Sequence, residues 1–67
     1  MESSKAKYKI GTIVKYKLKR SPKAFIQSGV IESSYYNYLL YMVYYTIMRD
    51  DGTTVDVPEN LIIKVIK

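Results

Sequence analysis

The chain contains no cysteine and no histidine, and its 67 residues include only three glycines and two prolines. Without cysteine there is no disulfide and no thiolate metal site, and without histidine there is no imidazole to serve as a ligand or as a base near neutral pH. A Gly-rich phosphate loop is also missing. Asp50 and Asp51 are adjacent carboxylates, but their position beside Gly52 makes them turn formers. We therefore expect a protein that is not an enzyme, with no catalytic residue, no metal site and no cofactor.

The small number of residues limits the chain to one hydrophobic core, and a chain of this size buries only about 60 % of its unfolded surface. We expect a flexible basic tail over residues 1–7 and a single domain over residues 8–67. The first residues lack the apolar segment of a signal peptide, so a cytoplasmic protein without membrane association is the default. The small size and the lack of a catalytic apparatus would suit an accessory or virus-encoded protein.

Positive charge is concentrated in the first third of the chain. Residues 1–23 hold eight of the eleven basic residues against a single acidic residue, Glu2, whereas residues 24–67 carry a net charge of −2. A one-sided distribution of this kind predicts a polyanionic partner, since phosphate contacts require Lys or Arg side chains. We expect weakly sequence-specific, salt-sensitive binding of DNA or RNA through Lys7, Lys9, Lys15, Lys17, Lys19, Arg20 and Lys23. The alternative is a solvated face that only keeps the protein soluble.

Apolar and polar side chains alternate from Tyr8 to Leu18, which predicts a first strand with one buried face. Gly11 is expected to introduce a bend in that strand. Residues 20–28 predict a loop whose Phe25 folds back over the core, and a second strand follows over residues 30–34. Asp51-Gly52 lies between two β-prone runs and predicts a tight hairpin with a positive φ at Gly52.

The stretch 35–48 contains no charge, no glycine and no proline, and it holds six of the eight tyrosines. This enrichment favours a strand or a hairpin arm, which we place at about residues 38–49 after a turn near residues 33–37. Both faces of such a strand are apolar, although only one can face the core. The other face predicts a homodimer or a dedicated protein partner that binds Leu40, Met42, Tyr44 and Met48.

The tyrosines allow three interpretations. The first is packing in the core and at its rim. The second is a platform on which nucleic-acid bases stack. The third is an aromatic cage for a methylated lysine, which needs converging rings and a nearby carboxylate such as Glu32 or Asp56. The second and third interpretations would use Tyr35, Tyr36 and Tyr38.

Three segments carry a resemblance to a known group of folds: Tyr8-Lys9-Ile10-Gly11-Thr12-Ile13-Val14, Gly29-Val30-Ile31, and Asp51-Gly52 through Val57-Pro58-Glu59-Asn60-Leu61. With a long first loop, a tight hairpin and one helical turn before the last strand, this order resembles the SH3-like small barrels, which include Tudor, KOW and chromo-barrel modules. The resemblance implies an all-β fold, a five-stranded SH3-like barrel with one short 3-10 turn before the last strand. The group includes modules that bind nucleic acid or peptide, but it spans many unrelated functions, so the fold alone implies no activity. Nucleic-acid binding is our first expectation, a protein-interaction adaptor the second and a methyl-lysine reader the third.

Overall fold

The computed structural model describes residues 6–67 and contains five β-strands and one 3-10 turn. The prediction of an all-β fold with five strands is confirmed. Among the described residues, no helix has the length and apolar character needed to cross a membrane. The elements in chain order are β1 Ile13–Tyr16, β2 Gln27–Asn37, β3 Met42–Met48, β4 Thr54–Pro58, the 3-10 turn Glu59–Leu61 and β5 Ile62–Val65.

The strands form one antiparallel sheet in the order β4-β3-β2-β1-β5. Consecutive strands are neighbours except at β5, which lies on the far side of β1 after the chain leaves β4. Strands β4 and β5 are therefore the two edges of the sheet. The expected closure into a barrel is not found, because no strand pairing joins these edges within the described part of the chain.

The core is formed by alternate residues of the strands, which point to the same face of the sheet. Val14 and Tyr16 of β1 are buried, as the alternation of the first strand predicts. The buried hydrophobic residues are Val14, Tyr16, Ile31, Val43, Tyr45, Ile47, Val57 and Ile62. Partly buried residues pack against this cluster, namely Ala6, Tyr8, Tyr36, Val55 and Leu61.

Strand β2 changes register at one point, and this change decides which of its side chains face the core. Ile31 pairs with Ile47 but Ser33 pairs with Thr46, so Glu32 is an extra residue on β2. Glu32 and Ser33 are both exposed, and Ser34 is buried beyond them. A β-bulge of this kind bends the strand and restores the inward direction of the next side chains.

The first strand is shorter than the sequence pattern predicts. The strand begins only at Ile13, because Gly11, with a φ of +93°, interrupts the extended backbone before it. Ile10, on the other side of Gly11, is 54 % exposed. The expected bend at Gly11 is present, and its N–H donates to the Ile31 carbonyl oxygen at 2.7 Å. Upstream of this bend the alternation therefore fails at Ile10, although Tyr8 is half-buried and packs against the core.

The expected N-terminal tail begins outside the described residues, which exclude residues 1–5 and with them Lys5. The last two residues of that tail are packed onto the domain. Ala6 contacts the core cluster, and the Lys7 N–H donates to the Tyr45 hydroxyl at 2.8 Å. The folded part of the chain thus includes Ala6 and Lys7.

The tyrosine-rich stretch is a hairpin and not one long strand. Tyr35 and Tyr36 belong to the end of β2, residues 38–41 form the turn, and β3 begins only at Met42. The placement of the strand start at residue 38 was wrong, because the Asn37 Oδ1 accepts the backbone N–H groups of Leu39 and Leu40 at 3.0 and 3.2 Å. Such side-chain capping favours a turn over extended backbone.

The second hairpin agrees with its prediction. Gly52 has a φ of +85°, and its N–H donates to the Arg49 carbonyl oxygen at 3.0 Å. The Asp51 carboxylate accepts the N–H and the hydroxyl of Thr53 at 3.0 and 2.6 Å. These two hydrogen bonds hold the pKa of Asp51 below its ordinary value. Asp51 is therefore a turn former here, as expected.

Candidate nucleic-acid interface

The loop between β1 and β2 is organised by Ser21. The Ser21 carbonyl oxygen accepts the Ala24 N–H at 3.0 Å, and its hydroxyl accepts the Lys23 N–H at 3.2 Å. The Lys17 Nζ donates to the same carbonyl oxygen at 3.5 Å. The Lys17 N–H donates to the Leu61 carbonyl oxygen at 3.0 Å, which ties the start of the loop to the 3-10 turn. The loop thus has a defined shape, and its charged side chains are presented from it.

Five of the predicted nucleic-acid contacts lie on this loop or on the strand that leads into it. Lys15, Lys19, Arg20 and Lys23 are exposed, and Lys17 is half-buried. We use the name basic surface for these five residues together with one more, Lys64. Its members are Lys15, Lys17, Lys19, Arg20, Lys23 and Lys64.

Lys64 was missed by the sequence analysis because it lies in the part of the chain with a net negative charge. In the sheet it is the direct partner of Lys15, since β5 pairs with β1. Both side chains are exposed. The sheet therefore adds a sixth positive charge from the far end of the chain, which sequence spacing alone does not reveal.

Two depressions lie beside the loop. One has a volume of about 360 Å³ and is lined by loop residues that include Lys19, Lys23 and Phe25. The other, of about 560 Å³, lies between the loop and the segment 60–63, with Lys17, Lys19 and Arg20 at its border. Among the described residues that line these two depressions, none is acidic. Both are suited to a ligand with negative charge.

A third depression, of about 420 Å³, has a different electrostatic character. Arg49 contributes to it, but so do the carboxylates of Asp50 and Asp51. These two negative charges beside Arg49 oppose the binding of a phosphate. The first two depressions are therefore the better candidates.

Lys7 and Lys9, which were also predicted to bind nucleic acid, do not line either depression beside the loop. The backbone of Lys7 is hydrogen-bonded to Tyr45 and, at 3.4 Å, to the Glu59 Oε2. Its Nζ lies 5.7 Å from the centre of the Tyr8 ring. Lys9 lies in the turn that precedes β1, whereas the loop follows β1. These two residues are therefore not counted in the basic surface.

Phe25 does not cover the core, so the expectation of a lid was wrong. Its side chain is 87 % exposed, and that of Ile26 beside it is 56 % exposed. The core is instead covered by other partly buried side chains, among them Tyr8 and Tyr36. The turn at Ser21 leaves Phe25 in solvent next to the basic side chains.

The three tyrosines proposed as a stacking platform or cage fall into two separate pairs. Tyr35 stacks on Tyr44 with ring centres 5.7 Å apart and an angle of 16° between the planes. Tyr36 packs against the core and meets Tyr38 edge to face, with ring centres 4.9 Å apart. Neighbouring residues of a strand point to opposite faces, so Tyr35 and Tyr36 diverge. The three rings do not converge on one point in this structure.

Tyr35 and Tyr44 lie on the outer face of the sheet with one carboxylate. The Tyr35 hydroxyl donates to the Asp56 Oδ2 at 3.2 Å, and the Thr46 hydroxyl donates to the Asp56 Oδ1 at 2.9 Å. Burial and the neighbouring Asp56 raise the pKa of Tyr35. The negative charge of Asp56 makes this face a poor place for phosphates.

The four residues predicted to self-associate are divided between the hairpin turn and the outer face of β3. Leu40 and Met48 are exposed, and Met42 and Tyr44 are half-buried. Leu40 belongs to a group of four consecutive exposed side chains at the end of the β2–β3 hairpin, which we call the apolar tip. It consists of Tyr38, Leu39, Leu40 and Tyr41, which are 78, 89, 56 and 80 % exposed.

Comparisons of this chain with protein-family models, with curated proteins and with solved structures found no match.

Proposed function

We propose that this protein is a non-enzymatic nucleic-acid-binding module and that the basic surface is its binding site. The observation that carries the proposal is that four basic side chains, Lys17, Lys19, Arg20 and Lys23, line two depressions whose described lining contains no carboxylate, while Lys15 and Lys64 pair on the adjoining strands. Phosphate groups are the anions that a nucleic acid presents at regular spacing, and Lys and Arg are their usual partners.

We also propose that the fold is an SH3-like small barrel. Two features support this proposal: the sheet order with β5 next to β1, and the 3-10 turn Glu59–Leu61 that leads from β4 to β5. In the described structure the loop after β1 and the 3-10 turn are adjacent. Here the hydrogen bond between Lys17 and Leu61 and the depression of about 560 Å³ connect the same two segments.

The expected mode of binding follows from the type of the side chains. Five of the six charges are lysines, which contact phosphates as point charges, whereas bidentate recognition of guanine is a property of Arg. Arg20 is the single arginine of the basic surface. We therefore propose binding of low sequence specificity that depends strongly on salt.

The test is the salt dependence of oligonucleotide binding, measured by fluorescence anisotropy. Contact with three to five phosphates gives a slope of about −2 to −5 in a plot of log K against log salt concentration. The triple variant Lys19→Gln, Arg20→Gln, Lys23→Gln should flatten this slope and weaken binding to all sequences alike.

The matched control is the triple variant Lys7→Gln, Lys9→Gln, Lys67→Gln, which removes the same charge outside the basic surface. The proposal predicts a much smaller change in slope for the control. Equal slopes in the two triple variants would contradict the proposed site, and the absence of binding at low salt would contradict the function.

A second candidate function is a protein-interaction module, and the apolar tip favours it. Four consecutive large side chains are exposed there, while the Asn37 side chain holds the backbone of the turn in place. An ordered, exposed apolar group of this size is unusual on a monomeric soluble domain and marks an interaction site. The predicted dimer contact at Leu40 belongs to this surface.

A further inference from the structure

We infer that the depression beside Phe25 is a subsite for one unpaired base, so that the ligand of the basic surface is single-stranded nucleic acid. This inference rests on the proposed function and deepens it. The charges of the basic surface indicate a phosphate backbone, and the subsite adds a contact with a base. The residues that carry it are Phe25, Gln27, Lys19 and Lys23.

An exposed aromatic ring lines the depression. The Phe25 side chain is 87 % exposed. Contact of an apolar ring with water is unfavourable in free energy, and the fold does not relieve it by burial. Phe25 lies in the same depression as Lys19 and Lys23. A base stacked on an aromatic ring between phosphate-binding lysines is the general arrangement by which proteins hold single strands. A paired base inside a duplex does not offer its face in this way.

A polar side chain lies in the same depression. Gln27 lines it, and the Gln27 Oε1 accepts a hydrogen bond from the Tyr16 hydroxyl at 3.4 Å. Tyr16 is fully buried, so its ring is fixed by the core. With its oxygen engaged by Tyr16, Gln27, which also borders the third depression, has its amide nitrogen available as a donor to a base edge. Thymine and uracil carry carbonyl acceptors of the required kind.

The depression is already formed in the free protein. Its volume is about 360 Å³, enough for one base together with part of its sugar. The hydrogen bonds of Ser21 to Lys23 and Ala24 hold the loop in this shape. A site that does not have to be ordered on binding keeps more of its interaction free energy.

The experiment uses the lack of tryptophan in the chain. Phe25→Trp places a single Trp fluorophore at the subsite, and Tyr38→Trp places one on the apolar tip as a control of similar exposure. Each variant is titrated with 12-nucleotide oligo(dT) and oligo(U), with an abasic strand of the same length and with a duplex. We expect the fluorescence of Phe25→Trp to be quenched by oligo(dT) and oligo(U) only, and that of Tyr38→Trp to be unchanged.

Affinity gives the second measurement. Phe25→Ala should weaken binding of oligo(dT) or oligo(U) by roughly 5- to 150-fold, the range for one stacked base, and should leave the salt slope unchanged. Tyr38→Ala should have no such effect. Thermal unfolding of each variant checks that it is folded. We expect both variants to fold, because the Phe25 and Tyr38 side chains are exposed.

The outcomes separate the inference from the proposed function. If the wild-type protein binds oligonucleotides but Phe25→Ala binds oligo(dT) and oligo(U) as tightly, the base subsite is wrong and nucleic-acid binding stands. If Phe25→Ala weakens single strands, abasic strand and duplex equally, Phe25 acts on the loop and not on a base, which also overturns the inference. Failure of the wild-type protein to bind any of these ligands overturns both.

Discussion

Tyr45 links the N-terminal segment to the rest of the domain through its hydroxyl group. The hydroxyl accepts the N–H groups of Lys7 and Tyr8 at 2.8 and 3.2 Å, and it donates to the Glu59 Oε2 at 2.5 Å. The Tyr8 ring also packs edge to face on the Tyr45 ring, with ring centres 5.4 Å apart. One buried side chain therefore holds together β3, the 3-10 turn and the residues that precede β1.

The ionisation of Tyr45 should reflect this environment. Burial, followed by the hydrogen bond to Glu59, raises the pKa of Tyr45 from 10.0 to about 12. Since the unfolded chain ionises at the lower pH, the contribution of the neutral phenol to stability is complete below pH 10 and is lost as the pH rises toward 12. A spectrophotometric titration of tyrosinate should show one group that ionises near pH 12.

The matched variant is Tyr45→Phe, which removes the hydroxyl but keeps the ring. It should lower the free energy of unfolding at pH 7 by about 1–3 kcal/mol, because the N–H groups of Lys7 and Tyr8 and the carboxylate of Glu59 lose a partner. Its loss of stability between pH 10 and pH 12 should be smaller than that of the wild type. An unchanged alkaline profile in urea denaturation would show that Tyr45 does not carry the effect.

At the scale of single residues, the sequence predicts the basic side chains of the candidate site better than it predicts the position of Phe25. The lysines of residues 15–23 were identified because their number and spacing are visible in the sequence. Phe25 was assigned to the core because burial is the usual state of a phenylalanine. Lys64 could not be found, since only the pairing of β5 with β1 brings it to Lys15.

The hairpin between β3 and β4 is the element that the sequence predicts best, and Gly52 allows a direct test. With a φ of +85°, this position disfavours a β-branched residue, so Gly52→Val should destabilise the protein by about 1 kcal/mol or more in urea denaturation. Thr54→Val, an exposed strand position of the same hairpin, is the control and should be nearly neutral. A neutral Gly52→Val would mean that the turn adopts another geometry in solution.

The other elements show where pattern reasoning loses accuracy. Alternation placed Val14 and Tyr16 in the core correctly but also included Ile10, which lies in the turn before β1. The tyrosine-rich stretch has strong strand propensity throughout, yet the side chain of Asn37 starts a turn inside it. A single hydrogen-bonding side chain can thus outweigh the propensity of four residues, because it satisfies backbone donors that a strand would leave to a partner.

At the scale of the whole molecule, the basic surface and the apolar tip lie at opposite ends of β2. The basic surface lies beside the start of β2, and the apolar tip follows its last residue, Asn37. Both surfaces can therefore be occupied at the same time. The position of β5 beside β1 is a property of the whole sheet that no local pattern predicts.

Self-association through the apolar tip is the prediction that belongs to this scale. Analytical ultracentrifugation at micromolar concentration should find a dimer or a larger species, and Leu40→Glu should shift it to the monomer, since the charge opposes burial in an interface. Ile10→Glu is the matched control, because Ile10 has nearly the same exposure as Leu40 and lies outside the tip. A monomeric wild-type protein would contradict the dimer and would assign the tip to a different protein partner.

The most direct test of the nucleic-acid proposal is a titration of ¹⁵N-labelled protein with 12-nucleotide oligo(dT), followed by backbone amide chemical shifts. We expect the changes to be largest at residues 15–27 and 60–64, with the amides of residues 38–41 nearly unaffected. Changes centred on residues 38–41, or no changes at low salt, would contradict the proposal that the basic surface binds nucleic acid.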